Sequence, residues 1–268
     1  MLEKSPLGKK STYQDTYSPE LLFPIPRKQK RTEMGIGDPL PFTGVDIWNA
    51  YELSWLNPKG KPEIAMAEFH FPCTSPNIIE SKSFKLYLNS LNQTKFENAK
   101  HLQKVLENDL SKASGASVKA ILKFSDDVCF MQMPSGICVD KLDISTDCYH
   151  PDKNLLKTSS GTNEEQIYSH LLKSNCLVTG QPDWGGIWIH YLGPKIDHES
   201  FLKYIISFRN HNEFHEQCVE RIFMDLLTQC QPKKLTVYGR YTRRGGLDIN
   251  PFRTNFDALP DNNPWFRQ

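Results

Sequence analysis

SKSFKLYLNS (residues 81–90) and HESFLKYIIS (residues 198–207) are the two stretches that decide the fold. Shifted by 117, Ser83-Phe84-x-x-Tyr87-Leu88-x-Ser90 lies over Ser200-Phe201-x-x-Tyr204-Ile205-x-Ser207. Phe84, Leu88 and Leu91 recur at helical spacing in the first copy, as do Phe201, Ile205 and Phe208 in the second. Two similar amphipathic helices so far apart in one chain point to a duplicated unit.

Working outward, the same order of elements flanks each copy. Before the first, VDIWNAYELSW alternates Tyr51, Leu53 and Trp55 as on a half-buried strand. LNPKGKP then turns the chain into PEIAMAEFHF, a second strand. After it come a helix carrying Leu102, Val105, Leu106 and Leu110 that stops at Gly115, and the strand-like SVKAILKF. The second half reads GIWIHYL (186–192) as strand and HESFLKYIISF as helix. EFHEQCVERIFMDLL follows as a second helix, with Cys218, Val219, Ile222 and Leu226 on its apolar face. KKLTVYGRY, an RRGG turn and LDINPF close the half as strands. The expected class is α+β, with two tandem antiparallel sheets, each carrying two helices on one face. The expected division is residues 1–135 and 136–268. The first 40 or so residues read as an irregular arm and residues 126–165 as a connector of little periodicity.

The 268 residues carry a formal net charge of +1, which gives no global pull toward nucleic acid or an anionic membrane. No apolar h-region opens the chain and no stretch is long enough to span a bilayer. The seven cysteines are odd in number and form no C-x-x-C pair, so neither a disulfide framework nor a paired zinc knuckle fits. A reducing cytoplasm suits that usage. GIGDPL (35–40) places Leu40 where a dinucleotide fingerprint needs its third glycine, and it follows no clear strand.

Chemistry is offered by three clusters. KSNCLVTGQPDWGG (173–186) holds Cys176 in a polar, loop-like setting, and Asp183 seven residues on. Cys176 reads either as a small buried hydrophobe or as a partly accessible thiolate. Asp183 reads either as a solvated turn residue, with Gly185 and Gly186 turning the backbone, or as a general acid that Trp184 desolvates. In HNEFHEQC (211–218), His211, His215 and Cys218 present a metal face only if they share one helix. Asn212 as N-cap would leave His211 outside it, with Glu216 placed to accept from the N–H edge of a purine-like ring. ESKSFK (80–85) opens a helix whose N-terminus, with Ser81 and Lys82, suits phosphate or ribose, and Arg243 and Arg244 suit a nucleotide phosphate. Each of these also reads as ordinary capping and surface charge.

ESKSFKLY, SNCLVTGQPDW, FRNHNEFHEQCVERI and RYTRRGGLDINP together resemble the signatures of the NADPH-dependent 7-cyano-7-deazaguanine reductases, the nitrile reductases of queuosine biosynthesis in tRNA. The resemblance runs from about Leu40 to Pro251 and is to the long, tandem-domain form. It implies tandem tunnelling-fold (T-fold) domains, a homodimer and no metal. It implies that Cys176 attacks the nitrile carbon to give a thioimide and that Asp183 protonates the nitrogen. Two NADPH molecules then deliver two hydrides to give 7-aminomethyl-7-deazaguanine. Ile79, Glu80, Ser81, His215 and Glu216 match the family's substrate contacts, and Ser81, Lys82, Arg244 and Gly245 its NADPH contacts. With these motifs split between the halves, a complete site is expected to need both. Two other classes compete: a metal-dependent hydrolase similar to GTP cyclohydrolase, using His211, His215 and Cys218, and a non-catalytic purine- or pterin-binding protein.

Overall fold

The structure is a computed structural model that describes residues 13–127 and 130–268. Cys129 and the first twelve residues lie outside the described residues. The chain forms β1 (Pro24–Pro26), α1 (Lys28–Glu33), β2 (Thr43–Leu56), β3 (Pro62–Pro72), β4 (Asn77–Ile79), α2 (Ser81–Ser90), α3 (Ala99–Ser114) and β5 (Lys119–Lys123). It continues with β6 (Ile137–Cys138), β7 (Thr158–Ser169), β8 (Lys173–Asn175), β9 (Pro182–Ile196), α4 (His198–Ser207), α5 (His215–Cys230), β10 (Lys234–Tyr241) and β11 (Leu247–Thr254). These elements form two compact units. Among the described residues the first holds 13–29, 45–127 and Arg243–Asp248; the second holds Lys30–Gly44, Phe130–Thr242 and Ile249–Gln268.

In the first unit β3 lies between β2 and β5, antiparallel to both. The turn at residues 57–61 closes the β2–β3 hairpin as the sequence predicts, with Asn57 Oδ1 accepting from the backbone of Lys59 and Lys61. Phe84 of α2 packs on Trp48, Phe69 and Phe71 of the two strands at ring separations of 5.3, 5.1 and 6.2 Å. Leu102, Leu106 and Leu110 of α3 are fully buried, four residues apart on one stripe. α3 stops at Gly115, whose φ of +77° is the left-handed cap a glycine takes most readily.

In the second unit β9 is the central strand. β10 runs antiparallel along one edge, and β7 and β8 share the other. β11 pairs antiparallel with β10, and β6 adds two residues parallel to β7. Cys218, Val219, Ile222 and Leu226 of α5 are fully buried, as their spacing predicts. The duplicated residues do the same work in each copy. Tyr87 donates to Asp109 of α3 at 2.7 Å, and Tyr204 donates to Asp225 of α5 at 2.8 Å. Ser83 and Ser200 each donate to the carbonyl of the residue that caps their helix. The α+β class with antiparallel sheets and paired helices is as expected.

Three local expectations are corrected. Residues 13–40 are no irregular arm: β1 pairs with β4, and α1 carries Arg31 into a buried cluster with Glu220 and Arg253. The connector ends in a strand, because β7 begins at Thr158 and SSGTNEE pairs with β9, its polar residues facing solvent. PDWGG is strand rather than turn, since β9 begins at Pro182. Gly185 and Gly186 are there for close packing: a side chain at Gly185 would strike the Arg240 carbonyl, and one at Gly186 the Trp265 ring. Among the described residues no helix is long and apolar enough to cross a membrane.

Candidate functional site

In the second unit the β8–β9 hairpin sets Cys176 and Asp183. Ser174 faces Asp183 across it, and Asn175 faces Pro182. The Cys176 N–H continues the ladder by donating to the Gln181 carbonyl at 2.8 Å, and the Gly180 N–H returns to the Cys176 carbonyl. Side chains alternate along strands, so Ser174, Cys176, Gln181 and Asp183 share one face. Cys176 and Asp183 are diagonal neighbours there, at about 7–8 Å in ordinary hairpin geometry. Cys176 is buried at 4% exposure, which corrects the accessible, loop-like setting read from its polar neighbours. The alternation explains it: Leu177 and Val178 in the turn take the solvent side.

Asp183 is buried at 6% exposure. Trp184 is not its cover, because adjacent strand residues point to opposite faces; that ring lies between the Arg209 and Arg267 guanidiniums. The residue against Asp183 is His215, whose Nε2 is 3.4 Å from Oδ2. α5 begins at His215, with Phe214 rather than Asn212 as its N-cap, so His215 and Glu216 are its first two residues. His211 lies outside the helix, bonded to Glu213 at 2.9 Å, and the three-residue metal face does not form. Glu216 is buried at 3% exposure where the macrodipole favours an anion. Cys218 is core, its thiol pushed up to about 12 by burial and by Glu213.

Sequence reasoning missed what ties the loop before α5 to the hairpin. The Asn175 N–H donates to the His211 carbonyl, and the Glu213 N–H donates to the Asn175 carbonyl. Glu213 is wholly buried and receives a bidentate pair from Arg221 at 2.7 and 3.0 Å, with Lys30 at 3.2 Å. Burial alone would raise this carboxyl, but hydrogen bonds from His211 and Arg221 pull it down to about 2. The only sequence signal was an acid beside two histidines. Tyr241 was missed too: its ring stacks on His215, 4.0 Å between centroids. Among the described residues His215 Nδ1 is buried without a hydrogen-bond partner, and the buried Tyr241 hydroxyl faces Cys218 and Ser174.

In the first unit Ile79 ends β4 and Glu80 caps α2. The Glu80 carboxylate accepts from the Lys82 and Ser83 N–H groups at 2.7 and 2.8 Å, so these two do not face a phosphate. Burial raises the Glu80 carboxyl against the pull of those same bonds. Ser81 Oγ lies 3.5 Å from Glu80. The Arg244–Leu247 hairpin has glycines of φ +62° and +81° at its two central positions, the type I′ signature. It comes to rest against α2. A Cβ on Gly245 would lie 3.4 Å from the Lys85 side chain, one turn on from Lys82, and Lys85 pairs with Glu52 at 3.5 Å. Arg243 lies over the Tyr51 ring at 4.9 Å. Lys85 and Arg243, some 160 residues apart in sequence, thus both lie at this turn in the first unit, with the Glu52 carboxylate filling the space a side chain on Gly246 would take.

Comparison with known proteins agrees with the motifs. Residues 13–122 match the family profile described as nitrile reductase, 7-cyano-7-deazaguanine-reductase N-term, and residues 182–258 match that described as QueF-like protein. The NADPH-dependent 7-cyano-7-deazaguanine reductase of Cupriavidus taiwanensis is 60% identical over 273 residues, covering 99% of each chain. The proteins of the same name from Burkholderia cenocepacia and Paraburkholderia xenovorans are each 57% identical over 99% of each chain. A solved archaeosine synthase QueF-Like structure in the apo form aligns with 37% of this chain and 99% of its own, at 14% identity and a TM-score of 0.32.

Proposed function

Because the chain belongs to the NADPH-dependent 7-cyano-7-deazaguanine reductase family, we propose that it reduces the nitrile of 7-cyano-7-deazaguanine through a thioimide on Cys176. It is an oxidoreductase that depends on NADPH. The observation that carries the mechanism is the β8–β9 hairpin, which holds one thiol and one buried carboxyl on the same face.

A nitrile carbon is a poor hydride acceptor, and covalent addition of sulfur turns it into an imine-like carbon. The Cys176 thiol gives its proton to Asp183 and its sulfur adds to the carbon. The π pair moves to nitrogen, and Asp183 returns the proton there. The net change is addition of S–H across the C≡N bond, which leaves Asp183 as it began. When bound, NADPH would supply the hydrides, two per turnover with two protons taken up from solvent, as the nitrile becomes the aminomethyl group and sulfur is released. Glu216 accepts from the N–H edge of the deazaguanine ring, and His215 sits beside it holding Asp183. Ile79, Glu80 and Ser81 supply further substrate contacts. Ser81, Lys82, Arg244 and Gly245 hold NADPH, and they fit it: the two cations suit phosphate, and Gly245, with only the Lys85 side chain near its missing Cβ, leaves room for a ligand at the backbone. The reaction belongs to queuosine biosynthesis. The first unit, which includes the Arg244–Leu247 hairpin, would then serve the cofactor and the second unit the covalent step.

The test is an intact mass of the protein mixed with 7-cyano-7-deazaguanine without NADPH. Wild type gains the mass of one nitrile and Cys176→Ala gains none. An unmodified wild type sinks the covalent route.

A further inference from the structure

Tyr241 takes no part in the chemistry above, yet the second unit is built around its ring. The residue ends β10 directly opposite Gly185 of β9. A side chain at Gly185 would come within 3.0 Å of the ring, and one at Gly239, two residues back on the same face, within 3.3 Å. Two glycines thus clear the sheet surface on which the ring lies. Gly239 does a second thing. A Cβ there would strike Val219 at 2.6 Å, so its absence lets α5 sit close on β10. His215 precedes Val219 by four residues, about 6 Å of helix rise, and Tyr241 follows Gly239 by two, about 6.6 Å of strand. The matched rises seat His215 on Tyr241 once Val219 is seated on Gly239. The two rings stack at 4.0 Å and 20°. The outer edge of the imidazole then reaches Asp183, 3.4 Å away. The backbone of Tyr241 is pinned as well: its N–H donates to Asn250 Oδ1, and Gln268 Nε2 donates to its carbonyl.

We propose that Tyr241, cleared by Gly185 and Gly239, is a positioning residue whose ring holds His215 against Asp183. This rests on the roles given to His215 and Asp183 in the proposed reduction. The ring carries the effect, since the buried hydroxyl faces Cys218 and Ser174 rather than His215.

The test follows the His215 ring nitrogens by NMR in full-length protein labelled with 15N-histidine. Asp183→Asn moves those resonances in the wild-type background and in Tyr241→Phe. In Tyr241→Leu the same change has no effect, because the imidazole is no longer held beside residue 183. Kinetics gives a second reading. Tyr241→Leu lowers kcat at least tenfold with KM for NADPH within twofold, Tyr241→Phe stays within twofold of wild type, and Tyr241→Leu adds nothing to His215→Ala. If Tyr241→Leu does not fold, Gly185→Ala, whose Cβ meets the ring and the Arg240 carbonyl, takes its place in both experiments. An undiminished response to Asp183→Asn in the folded variant overturns the proposal, as do losses that multiply with those of His215→Ala. A wild type that fails to reduce the nitrile but keeps the histidine response removes the proposed reaction and leaves the platform standing.

Discussion

Glu213→Gln tests whether the loop between the hairpin and α5 is held by charge. The carboxylate is wholly buried among Arg221, Lys30 and His211, with the Arg221 pair at 2.7 and 3.0 Å. Its pKa falls to about 2 from an ordinary 4.5. That difference is worth roughly 3 kcal/mol of stability at neutral pH, at about 1.4 kcal/mol per unit. The amide keeps the shape but leaves the half-buried Arg221 guanidinium unpaired, a loss of about 3–5 kcal/mol for breaking such a pair. The two routes agree. The folded pKa lies below the unfolded one, so the stabilisation is complete well above pH 4.5 and is lost as pH falls toward 2. The gap between wild type and Glu213→Gln is therefore expected to narrow by roughly 1 kcal/mol between about pH 7 and pH 4. Hydrogen exchange of the α5 amides, read with urea unfolding at both pH values, reports on this unit itself. Turnover should fall too, because Glu213 lies two residues before His215 and its N–H is bonded to Asn175, next to Cys176. A gap under about 1 kcal/mol at neutral pH, or one that widens on acidification, refutes the reasoning.

Two further outcomes bear on the assigned roles. Asp183→Asn keeps some cysteine adduct but loses about 10²–10⁴ in the rate of reduction, the usual worth of a positioned acid; near-normal turnover would remove Asp183 from proton transfer. Lys82→Ala raises KM for NADPH more than KM for the nitrile, and equal effects in steady-state kinetics would detach Lys82 from the cofactor.

The helices and hairpins were legible because their signals are local. The stripe of Leu102, Leu106 and Leu110, the turn at Asn57 and Gly60 and the paired glycines after Arg244 each state their own geometry. What escaped was long-range. The run from Thr158 to Glu165 is polar and looks like linker, yet it is strand, because the length of β9 offers it backbone partners that no side-chain pattern announces. PDWGG looked like a turn because glycine usually signals one, whereas here its use is to admit neighbouring backbone and rings. In the site, Cys176, Asp183, His215 and Glu216 were marked by the family motifs. Glu213 and Tyr241 were not, since what they do depends on Arg221, Lys30 and a stacked imidazole brought together only by folding.

The two copies show which residues of the repeat serve the fold and which do not. Tyr87 and Tyr204 lock their helix pairs through an aspartate, and Ser90 and Ser207 each return a hydrogen bond to the carbonyl of that tyrosine. Such bonds leave a buried acceptor unsatisfied when lost, which explains why both copies need them. Ser81 and Lys82, by contrast, become His198 and Glu199. In the second copy these positions are turned to local pairing, His198 with Glu165 at 3.1 Å and Glu199 with Lys203 at 3.9 Å. Replacing Lys82 by an acid at the equivalent position reverses the charge a phosphate would meet. Capping is kept by Glu80 and Asp197 alike, so the helix start itself was not what changed. The fold tolerates either set, since both lie on the outer face of the first turn. Constancy inside the repeat and charge reversal at its rim are what the proposed division of labour requires, with Lys82 beside the cofactor in the first copy and Cys176 and Asp183 in the second.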